Sequence, residues 1–368
     1  MAKWETLLAH GRDLLRDARV ERATWERFRV REEQDRDAHQ LDRLQLAWAL
    51  QYDARPDDAE LVRFVLAEEV GWRQISSWQG IGETLEILAS LVARERRVED
   101  VWLLAQAKRA NFDTDCGFDR RHLFAPGVER TIAFVKTSAH ADRDVVLDLM
   151  LDDGEPLFSE SEIASWLTEQ EAAAREPAQT DPACWMDRAL ALGDRTTARA
   201  FLEAWAVGEE RTTQFLTELA YRLRDVEDYA DEADVRRELV ARADKPWDVA
   251  SELQNLATAE RNARRPERAV ETLEKAAILY RANLDWRIYG LARILVETCF
   301  RTVAACEGEL ARRIFDLAEE LARETPGLPL VGLEAAVAAA RHVGDDEREE
   351  AWSERAAAER RAIDDALA

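Results

Sequence analysis

The sequence predicts an all-α protein, an array of roughly eighteen helices in antiparallel pairs. Three observations carry that expectation. Only 14 glycines and 9 prolines occur in 368 residues, too few for the turns of a β or α/β fold. Alanine, leucine, glutamate and arginine, all strong helix formers, are abundant. Nearly every segment repeats its apolar residues at helical spacing, and no convincing alternating strand appears.

Taken in order, LDRLQLAWALQY places Leu41, Leu44, Trp48 and Tyr52 on one stripe. ELVRFVLAEEV groups Leu61, Phe64 and Val65. GIGETLEILASLVARE starts near Gly82 and continues through Leu85, Leu88 and Leu91 or Val92. VEDVWLLAQAKRA makes a further helix with Trp102, Ala105 and Arg109 on its stripe. The stretch EAAAREPAQTDPA, around Pro177 and Pro182, is the candidate boundary between an N-terminal helical region, 1–177, and a repeating region, 178–368. Both sides are helical, so one curved α-structure is expected.

The second region repeats. In ASELQNLATAERNARRPERAVETLEKAAILYRAN, residues 250–283, Leu253, Leu256 and Ala257 stand at positions 4, 7 and 8, and Ala269, Leu273 and Ala276 at 20, 24 and 27. Small residues at 8, 20 and 27 let two helices approach, and larger ones fill the gaps. Trp185, Gly193, Ala198, Leu202 and Trp205 fit 7, 15, 20, 24 and 27 of an earlier unit. Leu216, Leu219 and Ala220 fit 4, 7 and 8 of the next. Leu295, Cys299, Ala311, Phe315 and Ala318 fit a later one, and LPLVGLEAAVAAARHVGDDEREEAWSERAAAERRA closes the chain with a hairpin whose charged last helix looks like a solubilising cap. These units resemble the tetratricopeptide (TPR) repeat, with Arg264 and Arg265 where a glycine is usual and no terminal proline. The resemblance covers roughly 178–366 and implies an α-solenoid whose C-terminal half is a TPR-like right-handed superhelix.

A net charge of −24 repels a phosphate backbone, so general nucleic-acid binding is not expected. Lysine is scarce beside arginine, which reads as the codon bias of a GC-rich, bacterial genome. The first residues, MAKWETLLAHGRDLLRDARVER, lack an apolar core, and no run approaches a membrane span. Cys116, Cys184, Cys299 and Cys306 form no CxxC pair, so neither a disulfide framework nor a zinc cluster is expected, and a reducing cytoplasm is. The histidines His10, His39, His140 and His342 are scattered, with no paired-ligand spacing. No cofactor is expected.

The stretch KRANFDTDCGFDRRH, 108–122, concentrates chemistry-bearing groups. As an EF-hand it fails, since Gly117 falls at position 5 from Asp113 and Phe124 at position 12. A Cys116–His122 nucleophile pair lacks a group to orient the histidine. A polar joint fits better: a helix stopping at Asn111, a cap from Asp115 or Asp119, and Phe112, Phe118 and Phe124 as anchors. Lys108, Asn111, Asp113, Asp115 and Asp119 then form a second candidate interaction loop. SWQGIGETLE lacks the third glycine and the Lys-Ser/Thr of phosphate loops, so it reads as a helix start with Glu83 in the first turn. Trp102, Trp185 and Trp205 read as core, whereas Trp78, Trp247 and Trp286 sit near helix starts.

In TPR repeats, positions 2, 5, 9, 12 and 13 of the first helix line the concave face. By that resemblance the lining residues are Gln214, Thr217, Tyr221, Arg224 and Asp225 in one repeat, and Ser251, Gln254, Thr258, Arg261 and Asn262 in the next. The function expected is a non-catalytic scaffold or adaptor that binds a protein or peptide in this groove. A peptide-sensing regulator with an N-terminal effector region is an alternative, and a hydrolase or metal enzyme using Asp113–His122 a more distant one.

Overall fold

The computed structural model describes residues 3–76, 80–173, 176–283, 285 and 288–367. Trp78 and Trp286 lie outside them. The described residues form nineteen α-helices with short 3-10 turns and two minimal β-hairpins. The architecture is an all-α helical solenoid in which consecutive helices pack as pairs. Its contacts divide into two compact units, Met1–Thr180 and Asp181–Ala368.

The first unit holds α1 (Lys3–Val20), α2 (Gln40–Asp53), α3 (Ala59–Ile75), α4 (Gly82–Arg94), α5 (Val101–Lys108), α6 (Phe112–Gly117), α7 (Val128–Thr137), α8 (Arg143–Met150) and α9 (Glu160–Ala173). The hairpins are β1–β2 (Glu32–Glu33, Arg36–Asp37) and β3–β4 (Leu151–Asp152, Glu155–Pro156). Two residues per strand are too short to leave an alternating signal. Each turns on a left-handed pair, Gln34–Asp35 and Asp153–Gly154, the geometry of a tight hairpin turn. Helix α1 lies so close to α2 that a Cβ on Gly11 would fall 2.1 Å from the Gln45 carbonyl oxygen.

The apolar stripes differ in detail from the expected ones. On α2, Leu46, Trp48 and Leu50 are buried while Leu41 is exposed. On α5 the buried face is Val101, Leu104 and Ala105 together with Lys108, and Arg109 is exposed. Glu83 does more than favour the start of α4, because its carboxylate accepts the Trp48 Nε1–H at 2.6 Å.

Polar residues are also built into this core. Arg43, Asp37, Glu69 and Arg73 are all buried. The Arg43 Nε donates to Glu69 at 2.6 Å, its Nη2 donates to Asp37, and Arg73 Nη1 donates to the other Glu69 oxygen at 2.5 Å. Arg73 also reaches over the start of α4 to the carbonyls of Gly80 and Ile81, tying α3 to α4.

The second unit is five helical pairs: α10 (Pro182–Ala191) with α11 (Arg195–Ala206), α12 (Thr213–Asp225) with α13 (Tyr229–Arg242), α14 (Pro246–Asn262) with α15 (Pro266–Ala282), α16 (Gly290–Val303) with α17 (Gly308–Glu324), and α18 (Leu330–His342) with α19 (Asp346–Leu367). The small residues of the repeat frame sit where the helices touch: Ala198, Ala257, Ala269, Ala276 and Ala318 are fully buried. Cys299 and Cys306 are buried thiols, and loss of hydration raises both pKa values, that of Cys306 to about 11.

Four of the five pairs share one turn. Gly193, Glu227, Arg264 and Gly344 each take a left-handed conformation. In each, the next residue's N–H returns to a carbonyl of the last helical turn, as Arg265 N does to Glu260 O at 2.9 Å. Gly193, Glu227 and Arg264 all fall at position 15 of the repeat frame. An aspartate follows in three of the four turns and caps the second helix: Asp194, Asp228 and Asp345 accept N–H groups of Thr197, Asp231 and Arg348. Left-handed backbone costs a residue with a Cβ about 1–2 kcal/mol, whereas glycine loses more chain entropy on folding, about 0.5–1 kcal/mol. Arg264→Gly should therefore stabilise this unit by up to about 1 kcal/mol, read as slower amide exchange in α14 and α15. Loss of stability would mean that the Arg264 side chain contributes more than its backbone strain.

Candidate functional site

The first helices of successive pairs present the residues singled out by the repeat frame. On α12, Gln214 and Tyr221 are exposed, Thr217 is half-buried, and its hydroxyl is turned back to the Thr213 carbonyl at 2.9 Å. Arg224 donates through Nε and Nη2 to one oxygen of Glu232, a fully buried acid of α13, at 2.9 and 2.6 Å. The Tyr221 ring lies under two guanidiniums, Arg224 at 5.5 Å and Arg236 at 4.6 Å. Arg236 is itself fully buried and reaches Glu252 of α14 at 3.1 Å. Arg224 is thus held rigidly by the helix behind it, with about a third of its side chain exposed.

Gln254 needs correcting. It is buried, and its amide donates to the Tyr280 hydroxyl at 3.0 Å and the Leu291 carbonyl at 2.9 Å. It joins α14, α15 and the start of α16 and is not open to a partner. Desolvation is the main reason the Tyr280 hydroxyl is hard to ionise. Thr258 is half-buried and bonded to the Gln254 carbonyl at 3.0 Å.

Arg261, near the end of α14, is the distinctive residue. It is half-buried, its Nε reaches only Asn262 Oδ1 at 3.3 Å, and it forms no salt bridge among the described residues. Burial lowers its proton affinity first, repulsion from Arg301 and Arg224 adds to that, and Glu297 opposes it. Arg301 of α16 is shared with Glu297 one turn earlier, at 2.7 Å. Arg224 and Arg301, from the first helices on either side, therefore each lie within electrostatic range of Arg261, in a chain of net charge −24. Arg301 escaped the repeat frame because it falls at position 10 of its unit. The Glu297–Arg301 spacing of one turn was its only signal, and that spacing is common on solvated helices.

The 108–122 stretch is a joint. Asn111 caps the start of α6, where its side chain and that of Thr114 bond each other's backbone N–H at 2.9 Å. Asp119 caps the following 3-10 turn and holds Arg121. Lys108 needs correcting as a loop residue: it is buried, and its ammonium donates to the carbonyls of Thr114 and Asp115 at the end of α6. Desolvation, its largest influence, lowers its pKa. Phe118 and Phe124 are buried anchors, but Phe112 is 77 % exposed. Asp113, Asp115 and Cys116 face outward while His122 is buried, so the stretch does not converge on one point. Among the described residues no group of three or more His, Cys, Asp or Glu is placed to share a metal ion, and no helix is long and apolar enough to cross a membrane.

No protein-family model matches the chain, and no curated protein matches it. Among solved structures the chain is similar to the crystal structure of BtubC (BKLC) from P. vanneervenii, at 17 % identity and a TM-score of 0.35, over 64 % of this chain and 92 % of that one. A likeness of that degree says nothing about binding or activity.

Proposed function

We propose that the chain is a non-catalytic interaction module whose TPR-like second unit binds a carboxylate-bearing segment of another protein. The carboxylate would sit at the Arg224–Arg261–Arg301 face. One observation carries this reading: Arg261 is a half-buried cation without a carboxylate partner among the described residues, flanked by two more arginines. Such a site costs folding energy that an incoming anion repays. Arg224 is fixed by Glu232, so the site is ordered before a ligand arrives, which favours affinity. Gln214 and Tyr221 lie exposed on α12, positioned to bond the peptide backbone of an extended segment.

The experiment is an affinity capture from native lysate, followed by titration of the captured partner's peptide. Charge-assisted hydrogen bonds are worth about 1.5–3 kcal/mol, and 1.4 kcal/mol is tenfold. Arg261→Ala should therefore weaken the peptide by about tenfold or more, and the loss should shrink at high salt. A partner held equally by Arg261→Ala and by an Arg224→Ala/Arg301→Ala variant would overturn the reading.

A further inference from the structure

A pocket of about 160 Å³ opens in the first unit, lined by Glu86, Ile87, Ser90, Leu91 and Arg94 of α4, Gln51 of α2 and Gln170 of α9. It is unrelated to the arginine face and does not depend on it. Its size is below the roughly 300–1,000 Å³ of sites for drug-sized ligands, so its ligand is small.

Each end asks for a different charge. At one end Arg94 is half-buried, its Nε is enclosed without a hydrogen-bond partner, and it forms no salt bridge among the described residues. The acid whose charge reaches it, Glu171, is engaged by Arg96 at 3.2 Å. Burial lowers the proton affinity of Arg94, as expected of a cation short of counter-charge. At the other end stands Glu86. It is an exposed residue, yet crowding around its carboxyl, and then the negative charge of Glu83, push its pKa up. A cation beside it relieves both effects.

The middle is set by His122. Its Nδ1 lies 2.8 Å from the Asp119 carbonyl oxygen, which only accepts, so Nδ1 carries the proton. Burial lowers the ring's proton affinity, which favours its neutral form. Nε2 then accepts the Ser90 hydroxyl proton at 3.3 Å, leaving the Ser90 lone pairs as acceptors beside the pocket. Gln170 adds an amide with no hydrogen bond among the described residues. Ile87 and Leu91 add the apolar part of the wall between the charged ends.

Glu86 and Arg94 stand on one helix, about 12 Å apart along its axis. Side chains rooted two turns apart favour a chain of several methylenes between a carboxylate and an amine over the adjacent charges of an α-amino acid. We propose that this pocket binds a small ω-amino-acid zwitterion, with its carboxylate on Arg94, its methylenes along Ile87 and Leu91, and its ammonium toward Glu86.

Isothermal titration of the full chain tests this with three probes: 5-aminopentanoate, pentanoate and pentylamine. 5-Aminopentanoate should bind about tenfold or more tightly than either single-charge analogue, the factor that about 1.4 kcal/mol from one added charge contact gives. Glu86→Gln should reduce its affinity to that of pentanoate and leave pentanoate unchanged. Arg94→Met should abolish binding of both acids. Glu86 is an exposed position, so its variant keeps the test readable if Arg94→Met does not fold. No heat from 5-aminopentanoate, or equal affinity in wild type and Glu86→Gln, overturns the proposal.

Discussion

Glu69→Ala should destabilise the first unit by about 3–5 kcal/mol, the largest single-residue loss expected in it. Glu69 is 1 % exposed and divides its two oxygens between Arg43 and Arg73, which are buried as well. Removing it leaves two guanidiniums in the interior with only Asp37 in the network to balance them. Asp37 is already engaged further, accepting the backbone N–H groups of Arg31 and His39 at 2.9 and 3.0 Å. Arg73 would keep its bonds to the Gly80 and Ile81 carbonyls, which do not neutralise it. The cost comes from leaving charges unpaired, so a surface pair is the proper contrast. Arg12→Ala, which breaks a half-exposed pair with Asp53 at 2.7 Å, should cost no more than about 1 kcal/mol. Amide exchange of α2 and α3 measures both. A Glu69→Ala loss no greater than that of Arg12→Ala would show that the interior there is wetter than the packing implies.

What the sequence made legible follows from the reach of each signal. Helices declare themselves through periodicity, and the repeat frame through small residues whose neighbours leave no room for larger ones, such as Ala257 and Ala276. The joint at 108–122 was readable as a joint because capping is local, as between Asn111 and Thr114. Long-range pairing leaves no such trace. Nothing in the chain says that Arg43 meets Glu69, or that Gln254, polar and at a lining position, turns inward to Tyr280. Lys108 looked like part of a polar loop because a carbonyl partner is invisible in a side-chain pattern. The arginine face was half legible for the same reason. Arg224 and Arg261 follow from the frame, while Arg301 joins them through packing of α16 on α14.

The closing helix illustrates how far composition can mislead about a single residue. DEREEAWSERAAAERRA reads as a charged cap, yet Trp352 within it is 4 % exposed and meets Phe300 of α16 edge to face at 5.5 Å. Phe300 in turn packs on Phe315 of α17 at 6.1 Å, so one tryptophan ties the last pair to the pair before it. The Trp352 Nε1–H also donates to Glu319 at 2.5 Å, and Arg348 holds the other oxygen of that buried acid. Trp352→Ala should cost about 3–5 kcal/mol through the cavity and the lost contacts. The loss should appear as fast exchange in α18 and α19 while α12 to α15 stay protected, because in stacked pairs each unit rests chiefly on its neighbours. Trp352→Phe separates the two contributions. It keeps the ring packing and removes the donor, so it should cost about 1–3 kcal/mol, the penalty of one unmet bond on a buried carboxylate. Equal losses for the two variants would place the whole effect on Glu319. A loss spread evenly over all five pairs would show that the second unit unfolds as one cooperative body, with α19 as essential to it as any interior helix.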